Sequence, residues 1–389
     1  MSATTLILTY AISHGLGVER LGVFSLTFFY YYLFAFLTSF ELTLYLGRES
    51  AHKRDKEHEI KKLVEESAAS FFMGLGISIF ILVYLIFFHK PFDTSLIIVT
   101  GVSGIILGIE KNQGGFLLGR EEMHIEFIAQ LISFIIVNIP VLMLVKSLDL
   151  VGIYLLRIAA SLLSIVIRWF FSGMRGQVAF RSLRIRFHNA KEILYFSVSG
   201  LCYFIQYHID IFILSFFVTV DREGAYFTAL RVFSALCMLP EVTSFALTPY
   251  ISRVYRQKET GEFSNFKEFY RKLMLGGIIL GFLFSGSLFL MRHWAAYFFT
   301  REATSEVARF MGYFSILLFF RFVSYYTGTL LSATRFQNIR FYIMIVSSIL
   351  MVGMGFLMAG KFNEMGILYT RAVMEVGIFI AYFLAMRKL

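Results

Sequence analysis

The sequence predicts an all-α, polytopic membrane protein of about twelve spanning helices, and three features predict it. Hydrophobic residues fill 58% of its 389 positions and charged residues only 16%, whereas soluble domains run at about 45–50% apolar and about 25% charged. The apolar residues gather into runs long enough to cross a bilayer, and the mean hydropathy is +0.71. The basic residues cluster in alternate connections between those runs. So little polar surface cannot coat a water-soluble globule. An ordinary soluble enzyme, a disordered chain and a disulfide-built secreted scaffold are thereby excluded. The two cysteines, Cys202 and Cys237, have no metal-binding spacing and read as small buried thiols.

A helix needs about 20 apolar residues to cross roughly 30 Å of hydrocarbon. Leu6–Leu16 is too short for that. It reads as the outer part of a first helix that is either shortened or begins upstream, and it lacks the basic start and cleavage site of a signal peptide. Full-length runs follow at Leu21–Gly47, Glu65–Phe88, Phe92–Leu118, Ile125–Val145 and Val151–Ser172. The second half supplies Ile193–Val220, Ala225–Leu247, Leu273–Met291, Phe310–Ala333, Ile339–Ala359 and Gly366–Met386. The connections after helices 2, 4, 6, 8 and 10 carry most of the lysine and arginine, which places them and both termini on the cytoplasmic side. This bias accounts for much of the net charge of +10. Because the basic residues flank spans and mix with Glu57, Glu59, Glu65 and Glu66, they do not indicate nucleic-acid binding. The charged stretches Gly47–Leu63 and Glu262–Lys272 are expected to be surface helices attracted to membrane lipids.

Three local patterns occur twice, in order. Glu19-Arg20-Leu21-Gly22-Val23-Phe24 matches Asp221-Arg222-Glu223-Gly224-Ala225-Tyr226. Leu117-Leu118-Gly119-Arg120 matches Ser332-Ala333-Thr334-Arg335. Gly152-Ile153-Tyr154-Leu155-Leu156-Arg157 matches Gly366-Ile367-Leu368-Tyr369-Thr370-Arg371. Six helices per copy give both copies one orientation, so the expected domains are two six-helix bundles, 1–180 and 181–389, joined by the basic Gly173–Ala190 linker. In transporters built this way the substrate path lies between the halves.

One stretch is particularly specific. Ile209-Asp210-Ile211-Phe212-Ile213-Leu214-Ser215-Phe216-Phe217 is followed by Gly224-Ala225-Tyr226-Phe227-Thr228-Ala229-Leu230-Arg231, and then by Thr248-Pro249-Tyr250-Ile251-Ser252-Arg253. Together with Leu16–Leu26, this resembles the Wzx-type polysaccharide and O-antigen repeat-unit flippases of the multidrug/oligosaccharidyl-lipid/polysaccharide exporter superfamily. The resemblance implies a MATE-like fold without catalysis of its own. It implies flipping of undecaprenyl-diphosphate-linked oligosaccharide across the cytoplasmic (inner) membrane by alternating access, for surface polysaccharide such as O-antigen, lipopolysaccharide or capsule. The implied partners are that lipid-linked sugar, membrane lipids, a polysaccharide polymerase and chain-length proteins. A multidrug or organic-cation antiporter of the same superfamily is the alternative, with a membrane glycan polymerase behind it.

Ionisable residues inside spans are costly and mark function by default. Arg321, Arg157, Arg371 and Arg231 are the candidate substrate-binding cations, since guanidinium stays charged and grips phosphate oxygens with forked donors. Arg321 sits near the middle of helix 10, away from either interface. Asp210, Glu375, Glu241 and Glu41 are the candidate acids for a coupling H⁺ or Na⁺. Two ion pairs are expected: Asp210 with Arg231 on the next helix, and Arg371 with Glu375 one turn along. Arg168 reads as an interfacial anchor, and His208 as a core or lumen histidine. Pro140 and Pro240 are expected to kink their helices. Gly74, Gly76, Gly276, Gly277 and Gly281 are expected to permit close helix packing. The run Phe28–Tyr32 is read as core or lipid-facing. No phosphate-binding loop, zinc motif or nucleophile elbow occurs, so no cofactor, metal site or ATP-driven step is expected.

Overall fold

The computed structural model describes residues 2–52, 57–89, 92–172, 189–259, 266–301, 303–332 and 337–386. These residues are almost entirely helical, in eleven α-helices. In order they are α1 Ser2–Leu16, α2 Val18–Ser39, α3 Thr43–His52, α4 Glu57–Tyr84 with a π-turn at Leu85–His89, α5 Thr94–Gly119 and α6 Met123–Phe171. Then come α7 Ala190–Leu214, α8 Val220–Glu259, α9 Phe266–Phe299, α10 Thr304–Ser332 and α11 Gln337–Met386. Nine of the described helices are long and apolar enough to span a membrane. Two of these, α6 and α11, are double-length: each holds two spans joined by a break. α1, at 15 residues, adds a short first helix, and the count agrees with the twelve expected. Large side chains stand bare on the outer faces, with Leu290 82%, Met143 77% and Phe80 74% exposed. Such a surface is stable in lipid and not in water.

The breaks fall at repeat-related places. α6 turns back through Asp149 (φ 49°), with Leu144 also non-helical, and α11 turns back through Asn363 (φ 53°). Each turn residue lies three positions before its copy of the Gly-Ile pattern, Gly152-Ile153 and Gly366-Ile367. The backbone thus repeats where the sequence does. Left-handed backbone costs a residue with a Cβ roughly 1–2 kcal/mol. Asn363→Gly is therefore expected to leave thermal stability unchanged or raise it by up to about 1 kcal/mol, relief of strain outweighing glycine's added chain entropy. Asn363→Val should lower it, because a β-branched residue fits this region worst. A valine variant melting like the wild type would show that the turn does not depend on this residue.

The chain divides into two compact units, Met1–Gly22 with Ile209–Leu389, and Val23–His208. The division after Gly22 falls inside α2. Of the expected Gly173–Ala190 linker, residues 173–188 lie outside the described residues. In the unit Val23–His208, α2 lies against α4 and α5 across glycines. A Cβ on Gly104 would meet the Phe34 Cβ at 2.7 Å, and one on Gly115 the Thr43 backbone at 2.6–2.9 Å. A core of Leu42, Tyr45, Leu46, Leu63, Phe116 and Ile193 closes one end. In the other unit α10 packs against α8, α9 and α11. Ile251, Leu330, Leu331, Ile378 and Tyr382 form part of its core.

Some local expectations change. Gly74, Gly277 and Gly281 do sit against neighbouring helices, but Gly76 and Gly276 face open space. The stretch Gly47–Leu63 is not one surface helix: its described parts end α3 and begin α4, with residues 53–56 outside the described residues. Phe266–Lys272 forms the first turns of α9, continuous with the span, and residues 260–265 lie outside the described residues. In both places the helix continues because alternating charges at helical spacing support extension of the apolar segment. Helix α8 runs through Pro240 as a single element, Thr243 donating to the carbonyls of Leu239 and Pro240.

Candidate functional site

Among the described residues both units hold buried charges. In the unit containing Ile209–Leu389, four of them form two ion pairs between helices. Arg371 Nε of α11 donates to Asp210 Oδ2 of α7 at 2.7 Å, and the Tyr226 hydroxyl of α8 donates to the same oxygen at 2.6 Å. Arg321 Nη1 of α10 donates to both carboxylate oxygens of Glu375, at 3.2 and 3.4 Å. Asp210 is fully buried, and Arg371, Glu375 and Arg321 are nearly so.

This pairing replaces both pairs the sequence suggested. Asp210 takes Arg371 instead of Arg231, and Glu375 takes Arg321 instead of the arginine one turn earlier on its own helix. The reason is satisfaction of all four charges. The two expected pairs would leave Arg321, buried on α10, without a carboxylate of its own, at a cost of several kcal/mol. Crossing to α7 and α10 neutralises all four. Arg231 lies with its guanidinium 4.6 Å over the Phe227 ring, and half-buried Glu241 stands in the field of Arg321.

In the unit Val23–His208, Arg157 is differently placed. Its guanidinium lies 4.8 Å from the Tyr31 ring centre and 5.7–5.9 Å from those of Phe24, Phe28 and Tyr154. The residue is 7% exposed, and Nε makes no hydrogen bond. Among the described residues no carboxylate pairs with it. Cation–π attraction from four rings holds the charge without neutralising it. The run Phe28–Tyr31 is therefore core, and it builds this box; Tyr154 is fixed by donating to Thr27 Oγ1 at 2.9 Å. Tyr32 stacks on His208 at 4.6 Å, a core placement for that histidine. Glu41, in left-handed backbone at the α2–α3 break, is ion-paired with Lys111.

Arg168 is not an interfacial anchor. It is 1% exposed, and it binds two carboxylates, Glu110 of α5 and Glu126 of α6. Sequence reasoning missed Glu126 and Tyr226. Tyr226 had a signal, because it stands in the repeat where the first copy has Phe24. Glu126 lay at the edge of its span and carried none. Among the described residues no three His, Cys, Asp or Glu side chains converge as metal ligands would.

Paired helical hairpins, apolar outer faces and buried guanidinium–carboxylate clusters define a polytopic membrane protein. Solved structures share this fold. An inward-facing multidrug-resistance MATE transporter of the MOP superfamily matches with a TM-score of 0.79 at 14% identity, over 99% of this chain and 93% of that one. The lipid II flippase MurJ in an inward closed conformation matches at 0.72 and 14%, over 99% and 85%. An outward-facing MATE transporter matches at 0.66 and 14%, over 100% and 94%. No curated protein matches the sequence. The model of the family described as "polysaccharide biosynthesis protein" matches residues 5–255, and the chain belongs to that family.

Proposed function

We propose that the protein flips polyprenyl-diphosphate-linked oligosaccharide, the undecaprenyl-linked repeat unit of a surface polysaccharide, across the cytoplasmic membrane. Two six-helix halves, 1–180 and 181–389, alternate access to the two leaflets, and both termini face the cytoplasm. The flippase and transporter fold, together with the polysaccharide family, supports this reading. The observation that carries it is Arg157. Arg371 and Arg321 already hold acids, whereas Arg157 is charged, buried and, among the described residues, held by rings. Its repeat partner Arg371 has Asp210. Gly22 and Gly224 lie 202 positions apart, and the same step back from Asp210 lands on Leu8, which carries no charge. The first half thus keeps the arginine without the acid, leaving a guanidinium able to receive a diphosphate. The aromatic walls suit the apolar and sugar faces beside it. Arg231, Arg321 and Arg371 come second as substrate contacts, and Asp210, Glu375, Glu241 and Glu41 as acids for a coupling ion. A polymerase and chain-length proteins would receive the product.

The test follows lipid-linked oligosaccharide in cells depleted of the protein and complemented with variants. Depletion should trap single repeat units on the cytoplasmic leaflet. Arg157→Ala should fail to restore transport at normal protein level, and Arg157→Lys should restore it partly, since ammonium keeps the charge but loses the fork. Units that reach the outer leaflet unpolymerised would point to a polymerase instead. Unchanged lipid-linked sugar with new drug sensitivity would point to an antiporter.

A further inference from the structure

Arginines gather at the membrane face opposite the C-terminal end of α11. Arg222 stands in the first turn of α8, Arg309 in the second turn of α10, and Arg292 two turns before the end of α9. All three belong to the unit containing Ile209–Leu389. Lysine and arginine collect on the cytoplasmic side of membrane proteins, so in the orientation proposed above these cations run against the general bias.

One acid serves two of them. Arg222 Nη1 lies 3.6 Å and Arg309 Nη2 3.4 Å from the same oxygen, Glu364 Oε1. The Glu364 side chain is 7% exposed, whereas those of Arg222 and Arg309 are 46% and 49% exposed and present donors to the outside. Among the described residues Arg292 pairs with no carboxylate. Its Nη1 donates to the Phe289 carbonyl at 3.2 Å, and its guanidinium lies 4.1 Å over the Phe289 ring. It crosses α10 at Gly312, one turn from Arg309, where a Cβ would meet Arg292 Cδ at 3.5 Å. Three guanidiniums thus stand with one carboxylate. Of the neighbouring acids, Asp221 is tied to Thr219 and to N–H groups at the start of its own helix, and Glu223 is buried.

The fold does not require this cluster. The register of the repeat sets Glu364 on Leu150 and Arg309 on Thr94, and the matching turn at Asp149 closes with Leu150 buried. The second copy therefore carries an acid and a second arginine that the first copy does without. The setting favours anions. α8, α10 and the second arm of α11 all begin here, and helix starts carry partial positive charge. Trp294 and Tyr297, 63% and 65% exposed on α9 just beyond Arg292, mark the level of lipid headgroups. We propose that Arg222 and Arg309, with Arg292 beside them, form a second anion site at headgroup level, which takes the diphosphate of the lipid-linked sugar as it leaves. The diphosphate replaces Glu364 as the shared partner of two forked guanidiniums. Its identity as the ligand rests on the flippase reading.

Calorimetric titration of geranyl diphosphate into the purified full-length Arg157→Ala protein separates this site from the one at Arg157. Binding is expected to persist in that variant. Added to it, R222Q and R309Q should each weaken binding about tenfold, as loss of a charged hydrogen bond does. E364Q should tighten it severalfold, because the competing carboxylate is gone. Thermal melts show which variants are folded. R222K and R309K, which keep the charge, replace any glutamine variant that melts early and should weaken binding less. Folded R222Q and R309Q that bind like their parent, or a folded E364Q that binds no better, would overturn the site and leave a purely structural clamp. Displacement of the probe by phosphatidylglycerol as readily as by inorganic pyrophosphate would overturn the diphosphate assignment. Depletion that traps no repeat unit would overturn the flippase reading while leaving these affinities as they are.

Discussion

Asp210→Ala is expected to lower stability by about 3–5 kcal/mol, the usual cost of leaving one member of a buried ion pair without the other. Asp210 is wholly buried and accepts from both Arg371 and Tyr226. Its removal leaves a guanidinium in the interior and a phenol without an acceptor. Arg371→Met in the Asp210→Ala background should recover much of the loss, because an apolar replacement of both charges is often neutral or better. Thermal melts of the two single variants and the double variant give the coupling energy. A double variant no more stable than Asp210→Ala alone would contradict a pair that acts as a unit. The cycle also bears on the transport proposed above. If activity is lost in the double variant while stability returns, the pair contributes to transport as well as to stability.

Gly224→Val should produce the second large effect. The two copies of the repeat meet at their glycines, reciprocally. A Cβ on Gly224 would run into the carbonyl oxygen of Val18, four residues before Gly22, and would lie 2.9 Å from the Gly22 backbone nitrogen. A Cβ on Gly22 would run still harder into the carbonyl oxygen of Val220, four residues before Gly224. These neighbours include backbone, which cannot swing aside. The starts of α2 and α8 would have to separate, at a cost of about 1–3 kcal/mol or more for forced overpacking. Gly22→Ala should do likewise, because its Cβ alone already meets the Val220 backbone. Gly76→Val is the control, because no heavy atom lies within 4 Å of a Cβ there. Equal melting temperatures for the Gly224 and Gly76 variants would refute the contact.

The number of helices, the charges inside them and the repeat were all legible in the sequence, because each leaves a local mark. A span needs a run, an intramembrane arginine interrupts one, and a copied turn repeats its glycine. Pairing was not legible. Whether Arg371 meets Glu375 or Asp210 depends on how α11 is rotated against α7 and α10, and spacing along one helix says nothing of that. Arg168 was misread because its position near a helix end resembles an anchor's. Only the packing of α5 against α6 shows that it faces inward. Gly76 and Gly22 look equally small in sequence, and they differ only in what stands opposite.

The tight reversals at Asp149 and Asn363 carry a practical consequence. Where α6 and α11 double back, almost no chain projects beyond the helix ends. An antibody, a protease or an assembly partner approaching there finds little peptide to grasp. On the flippase reading proposed above, these two turns offer a glycan nothing to recognise. Grafting the Asp149 and Asn363 turns between relatives should then leave cargo preference untouched, whereas exchanging the whole hairpins tests whether the helices around them carry it.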